Sequence, residues 1–255
     1  MSRSPALTMI RRAMSATILL AVALLGGPAS AQMPPAADIL QHSIDYHDPQ
    51  GLWSWNAFRL QLAGTRPIAG PILTEIVIDN AAGRFTMARD RFGQLIETAV
   101  SGDECWTKLD GSSEFSTEQA ERFRLSCEEM RGQRDYHTFL YGLPMKLRDR
   151  GTIVDPEPLR TEFQGQDVWQ VRVTYDPEIG TDTWYFYIHP WSFALVGYRF
   201  YHDESANDGE YIVLDRITEG DGMRLPKVRS WYRNDNDELV GTDTLRSIER
   251  LSRDR

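Results

Sequence analysis

Between Thr183 and Glu204 the chain reads TWYFYIHPWSFALVGYRFYHDE, and its side chains repeat every two residues rather than every three or four. Thr183–His189 is dense in aromatic and β-branched residues, which fit a pleated, half-buried surface. Pro190 has no N–H to give to a ladder and ends that strand. Ala194–His202 is a second strand of the same composition. Alternation puts Trp184, Phe186 and Ile188 on one face and Tyr185, Tyr187 and His189 on the other. A sheet with rings on both faces has to be covered on both, by protein or by a ligand.

The same period runs through most of the chain. Trp53–Leu62, Ile72–Ile78, Arg84–Arg89, Gln94–Val100 and Asp103–Lys108 read as successive strands. Val168–Tyr175, Glu210–Ile217, Leu225–Tyr232 and Leu239–Ile248 continue the pattern after a gap. Turn-forming residues separate them, at Asp79–Gly83, Asp90–Gly93, Asp208-Gly209 and Asn234–Asp237 among others. Strands this closely spaced argue an antiparallel meander. Ala36–His47 has helical spacing at Ile39, Leu40 and Ile44, with Pro49 and Gly51 stopping it. His47 then falls in the last helical turn, where a cationic imidazole is favoured by the helix dipole.

The one long interruption is Asp110–Arg150. Ser116 and Gln119 have capping-box spacing, so a helix should start there with Ala120, Phe123, Cys127 and Met130 on its inner face. A second short helix is expected over Arg134–Tyr141, closed by Gly142 and Pro144. Roughly ten strands in one sheet must curl. The expected fold is therefore mainly β. It is a long curled antiparallel sheet, an open or partly closed barrel, with an N-terminal helix and a helical insert at about 110–150 as a lid, and with room for an apolar cavity between them.

Residues 1–31 have the form of a secretory signal peptide: Arg3, Arg11 and Arg12, an apolar run Ile18–Leu25 too short to span a bilayer, and an Ala29-Ser30-Ala31 cleavage site. Residues 32–255 are then a single exported domain, periplasmic or secreted beyond the cell. Loss of the three arginines takes the formal charge from −9 to −12. An acidic chain is poorly suited to nucleic acid, which needs clustered Lys and Arg, and to more than peripheral contact with anionic membranes. Cys105 and Cys127, an even pair in an oxidising compartment, read as a disulfide.

The densest polar cluster is His202, Asp203, Glu204, Asp208 and Glu210. Its residue types suit divalent-cation binding or acid–base work, and its turn composition equally suits a solvated hairpin. His47-Asp48 invites a His–carboxylate pairing, against a plain helix end. No HExxH, GxSxG or P-loop spacing occurs, and neither a metal nor a cofactor is expected. Trp184, Phe186, Tyr198 and Phe200 either fill the core or line a cavity. Strand-borne Arg59, Arg172, Arg199, Lys227 and Arg229 either pair on the outer sheet face or present a basic patch to an anionic head group.

Five segments carry a resemblance: Tyr46-His47-Asp48-Pro49-Gln50-Gly51, the TWYFYIHP run, Phe200-Tyr201-His202-Asp203-Glu204, Asn207-Asp208-Gly209-Glu210-Tyr211 and Leu225–Tyr232. Together they resemble the DUF6503 family of exported bacterial proteins, which has no assigned activity and so implies no site. The order of helix, curled sheet and helical insert is also similar to the LolA/LolB-like lipoprotein carriers, in which sheet and lid enclose acyl chains. That likeness implies a lipid or acylated chain as ligand, or a lipoprotein as partner. The expected contacts are Trp55, Phe139, Trp184, Phe186, Tyr198 and Phe200, with Arg199 or Arg229 at a polar head. A hydrolase or metal enzyme built on His202 with Asp203 or Glu210, or on His47, is the alternative. A protein-binding envelope scaffold is the third reading.

Overall fold

The computed structural model describes residues 33–67 and 70–252; the leader read over residues 1–31 lies outside them. The strands are β1 (Ala57–Thr65), β2 (Ile72–Asp79), β3 (Arg84–Arg91), β4 (Gln94–Ser101), β5 (Glu104–Leu109), β6 (Thr152–Val154), β7 (Leu159–Phe163), β8 (Gln166–Tyr175), β9 (Thr183–Ile188), β10 (Leu195–Tyr201), β11 (Glu210–Gly220), β12 (Met223–Arg233) and β13 (Leu239–Leu251). They form one curled, open antiparallel sheet in the order β5-β4-β3-β2-β1-β13-β12-β11-β10-β9-β8-β6, with β7 also on β8. Two meanders, β1–β5 and β8–β13, are therefore stitched together by the pairing of β1 with β13, from Ala57 opposite Leu251 to Thr65 opposite Thr242.

This order dictates where the helices go. β5 and β6 lie toward opposite edges of the sheet, so the segment between them must cross a face. It does so as α2 (Thr117–Phe123) and α3 (Cys127–Gly142). With α1 (Ala36–His47), these helices cover the face that carries Phe58, Leu60, Ile76, Phe85, Phe186, Ile212 and Leu245, all buried. The opposite face has a smaller cluster of Phe163, Val168, Tyr187 and Tyr211. The two faces of the central strand pair are thus covered separately.

Four local expectations are corrected. Trp53–Trp55 is a 3-10 turn rather than the start of β1, because the Asp48 carboxylate accepts from the Leu52 N–H at 2.7 Å and the Trp53 N–H at 2.9 Å. The helix expected from Ser116 through Met130 is broken: Arg124 takes φ 57°, and Ser126 restarts the chain by accepting from the Glu129 N–H. The separate helix over Arg134–Tyr141 is the second half of α3. β6 and β7 were not foreseen; Pro156 and Pro158 separate two strands too short to show a period.

Cys105 and Cys127 form the disulfide, with Cα atoms 5.7 Å apart. It ties the first residue of α3 to the edge strand β5, over a small core of Ile96, Val100, Leu109, Phe123, Leu125 and Met130. Replacing both cysteines by serine is expected to lower unfolding free energy by about 3 kcal/mol, read as a lower denaturant midpoint under oxidising conditions.

His47 corrects the dipole argument. It is fully buried, its Nδ1–H donates to the Arg224 carbonyl at 2.5 Å, and its Nε2 accepts from the Leu195 N–H at 2.9 Å. It is a neutral clamp holding α1 to β10 and β12. Burial, with a smaller push from the charges of Arg229 and Arg224, lowers its pKa to about 4 from 6.5, against the opposing carbonyl bond. Between those values the unfolded chain binds a proton that the folded chain refuses. The clamp's stability is therefore fully present above pH 6.5 and falls as pH drops toward 4, by about 3 kcal/mol. His47→Gln is expected to be less stable than wild type at pH 7.5, with the gap narrowing by pH 4.5, in urea melts at both pH values.

Candidate functional site: two clefts beside helix α3

Under the C-terminal end of α3 the interior is filled. Tyr141, Tyr198, Phe186 and Phe58 are each at most 1% exposed. Arg229 is equally buried; its guanidinium lies 4.1 Å from the Tyr141 ring centroid, and its Nη1 donates to the Pro226 carbonyl at 2.8 Å. Earlier along its length, α3 does not seal against the sheet, and a cleft opens on each side.

The larger cleft, about 820 Å³, lies between α3 and strands β1–β3 and β13. Leu62, Ile72, Met87 and Phe92 supply apolar wall, and Gln133, Tyr136 and His137 face it from the helix. Phe92 (66% exposed) and Tyr136 (44%) stand at its mouth. His137 is buried against Phe85 and Tyr141, and its Nδ1–H donates to the Gln133 carbonyl at 2.7 Å. Burial holds it neutral, with its pKa lowered to about 4.

The cleft is also lined by three arginines, Arg66, Arg89 and Arg91, and by Asp90 and Asp243. Arg66 is paired: its Nη1 donates to Asp243 and to the Thr65 carbonyl at 2.9 Å each. Gly64 and Gly241 make room for this pair, since a Cβ at either would strike the Asp243 carboxylate or the Arg66 side chain. Arg89 differs. It follows Phe85 and Met87 on the inner face of β3, and its Nε is buried without a hydrogen-bond partner.

The smaller cleft, about 640 Å³, lies on the other flank of α3, against β8 and β9. Phe139, Tyr175 and Trp184 form its aromatic wall, and Asp182 lies on its lining. Behind Trp184 runs a column of rings: Phe139 at 5.2 Å, Phe200 at 4.8 Å, Phe186 at 6.0 Å and Tyr198 at 6.1 Å between centroids.

The structure thus brings Phe139 and Trp184 to one cleft, with Phe200 stacked behind. Phe186 and Tyr198 are core. Trp55 is 72% exposed in the 3-10 turn and lines neither cleft. Arg199 is on the opposite sheet face, 4.9 Å from the Tyr211 ring centroid, where its Nη1 donates to the Tyr201 hydroxyl at 3.1 Å. Arg229 sits beneath Tyr141. The residues not anticipated are Arg89, Arg66 and Tyr136; an arginine in phase with Phe85 and Met87 was the available signal for the first.

His202, Asp203 and Glu210 do not converge. His202 Nδ1 pairs with Asp182 at 2.8 Å, and this bond raises its pKa. Asp203 accepts from the Ser205 N–H and hydroxyl. Asp208 accepts from the backbone N–H groups of His202 and Asp203 at 2.9 Å each. Glu210 is half-buried, which raises its pKa. Asp203 and Asp208 organise a turn, and Glu210 begins β11. Among the described residues no group of three or more His, Cys, Asp or Glu is placed to hold a metal ion, and no helix is long and apolar enough to cross a membrane.

Among solved structures, the chain is similar to a domain from Vibrio parahaemolyticus described as an outer membrane lipoprotein-sorting protein domain. The TM-score is 0.50 at 10% identity, over 84% of this chain and 92% of that one. It is similar to a LolA superfamily protein from Nitrosomonas europaea to the same degree, with TM-score 0.50 at 11% identity, over 87% and 96%. At such identities the likeness is one of fold. No curated protein matches the sequence. The model of DUF6503, a family of unknown function, matches residues 16–249, and the chain belongs to that family.

Proposed function

We propose that this chain is an exported envelope protein that binds a hydrophobic or amphiphilic molecule, a lipid or an acylated chain, between its curled sheet and α3. The observation that carries this reading is that the roof helix leaves hollows of about 820 and 640 Å³ on its two flanks, within the size range of small-molecule sites. Their walls combine apolar and aromatic side chains with a few polar groups. Phe139 and Trp184 are the aromatic contacts proposed for the smaller cleft, with Phe200 supporting Trp184 from behind. Tyr136, Met87 and Ile72 serve the larger one. The fold shared with a lipoprotein-sorting domain supports the same reading, although a fold alone does not set a ligand. The leader-like residues 1–31 and the disulfide support export.

Titration with an environment-sensitive apolar dye is expected to give saturable emission that a single-chain lipid competes away. Gln133→Trp, which drives an indole into the larger cleft, and Phe139→Asp, which places a charge in the smaller one, are each expected to weaken uptake at their own cleft. The loss expected is about ten-fold, equivalent to about 1.4 kcal/mol. Absence of saturable uptake by wild type, or uptake by both variants unchanged from wild type, contradicts the proposal.

A further inference from the structure

We propose that the larger cleft recognises the anionic head of a single-chain amphiphile, and that Arg89 is the residue that receives it. This rests on the reading of the cleft as an amphiphile site and adds to it a charge and a position.

The argument begins with the phase of β3. Phe85, Met87 and Arg89 point to the same face, and the first two are buried. The third therefore carries its charge beneath the helical roof. Taking a guanidinium partly out of water is unfavourable unless its donors are used. Its Nε is buried and unbonded, and Arg89 makes no ion pair among the described residues. The charges that act on it most are Arg91 and Arg124; burial first, and then these like charges, push its pKa down. An arginine stays protonated under such pressure, whereas a lysine could shed its proton.

The neighbouring groups do not compensate it. Asp243 is engaged by Arg66 at 2.9 Å. Asp90 lies at the rim of the cleft, its Oδ1 accepts from the Gly93 N–H at 3.1 Å in the following turn, and it is not among the charges that act on Arg89. The cleft thus holds an unpaired guanidinium fork, its Nε buried and unbonded, beside the apolar side chains of Met87, Ile72 and Phe92. A carboxylate or phosphate matches that fork in charge and geometry, and its hydrocarbon has a wall to lie on. The volume of about 820 Å³ suits one chain.

The test compares ligands that differ only at the head: laurate, lauryl phosphate, 1-dodecanol and dodecyltrimethylammonium, with inorganic phosphate as the free anion. Binding to the mature chain is read by calorimetry. Laurate and lauryl phosphate are expected to bind at least about ten-fold more tightly than dodecanol, the scale of one charge-assisted hydrogen bond, and the cation least tightly. Arg89→Gln is expected to bring laurate and lauryl phosphate to within about two-fold of dodecanol; Arg89→Lys retains part of the preference. Its melting temperature is expected to be no lower than wild type, which separates a lost ligand contact from a damaged fold. Equal affinity for laurate and dodecanol, or an anion preference that survives Arg89→Gln, overturns the role of Arg89 and leaves the amphiphile site standing. Arg89-dependent binding of inorganic phosphate without any binding of the dodecyl compounds overturns the amphiphile site. No binding of any of the five overturns both.

Discussion

The structure depends on one long-range pairing, β1 against β13. Each of the two meanders is held by local hairpins, but the sheet becomes continuous only where Ala57–Thr65 meets the C-terminal strand. On the outer face Arg59 reaches both Glu75 on β2 and Glu249 on β13, at 3.5 and 2.7 Å. Exposed pairs of this kind contribute little net stability, and this one serves mainly to mark the register. On the inner face Phe58, Leu60 and Leu62 of β1 join Leu245 and Ile248 of β13 in one core. Burying rings and branched chains across that line, at roughly 1.5–3 kcal/mol each, offsets the entropy of closing a loop nearly as long as the domain.

The clefts follow from the same topology. Once β5 and β6 lie toward opposite edges, the connecting segment has to cross the inner face, and over the main core it does so as α3, one helix of about 10–12 Å diameter. The main core draws on nine strands, β1–β3 and β8–β13, an arc of about 38 Å at normal strand spacing. Curl and large side chains close part of that width. The remainder is left beside α3, whose middle turns carry Gln133, Asp135, Tyr136 and Thr138 rather than an apolar stripe. A helix of that composition covers a sheet without sealing it. The disulfide at its first residue and the packed Leu140 and Tyr141 at its last turn hold the two ends, so the unsealed part is the middle.

Much of this was legible in the chain. Period-two runs located the long strands, and the capping box at Ser116 located α2. Trp184, Phe186 and Ile188 fall on the inner face as their alternation implies. What was not legible has physical reasons. Three- and five-residue strands carry no usable period, and the turn into β8 uses Gln164-Gly165 at positive φ, a weaker signal than Asn-Gly. Arg124 ends a helix in a left-handed conformation that its residue type does not announce. His47 was misjudged because a dipole argument assumes a solvated helix end, whereas this end is buried between strands that sequence spacing cannot bring together. For Arg89 the alternation was present, but composition weighs a strand arginine as solvated, and only the crossing helix makes its face an inner one. Trp55, Arg199 and Arg229 show the converse: residue type drew attention to them, and tertiary placement put them on a turn, on the outer face and under Tyr141.

The account's central claim is that the space beside α3 holds a guest of apolar character. Native mass spectrometry of the chain purified without detergent from cells that produce it, followed by solvent extraction, tests this most directly. The account predicts a mass above that of the polypeptide alone, the excess released by mild activation and recovered in the organic phase as an amphiphile. Protein that is consistently found at its polypeptide mass alone, and that takes up nothing when incubated with lipid, would contradict it.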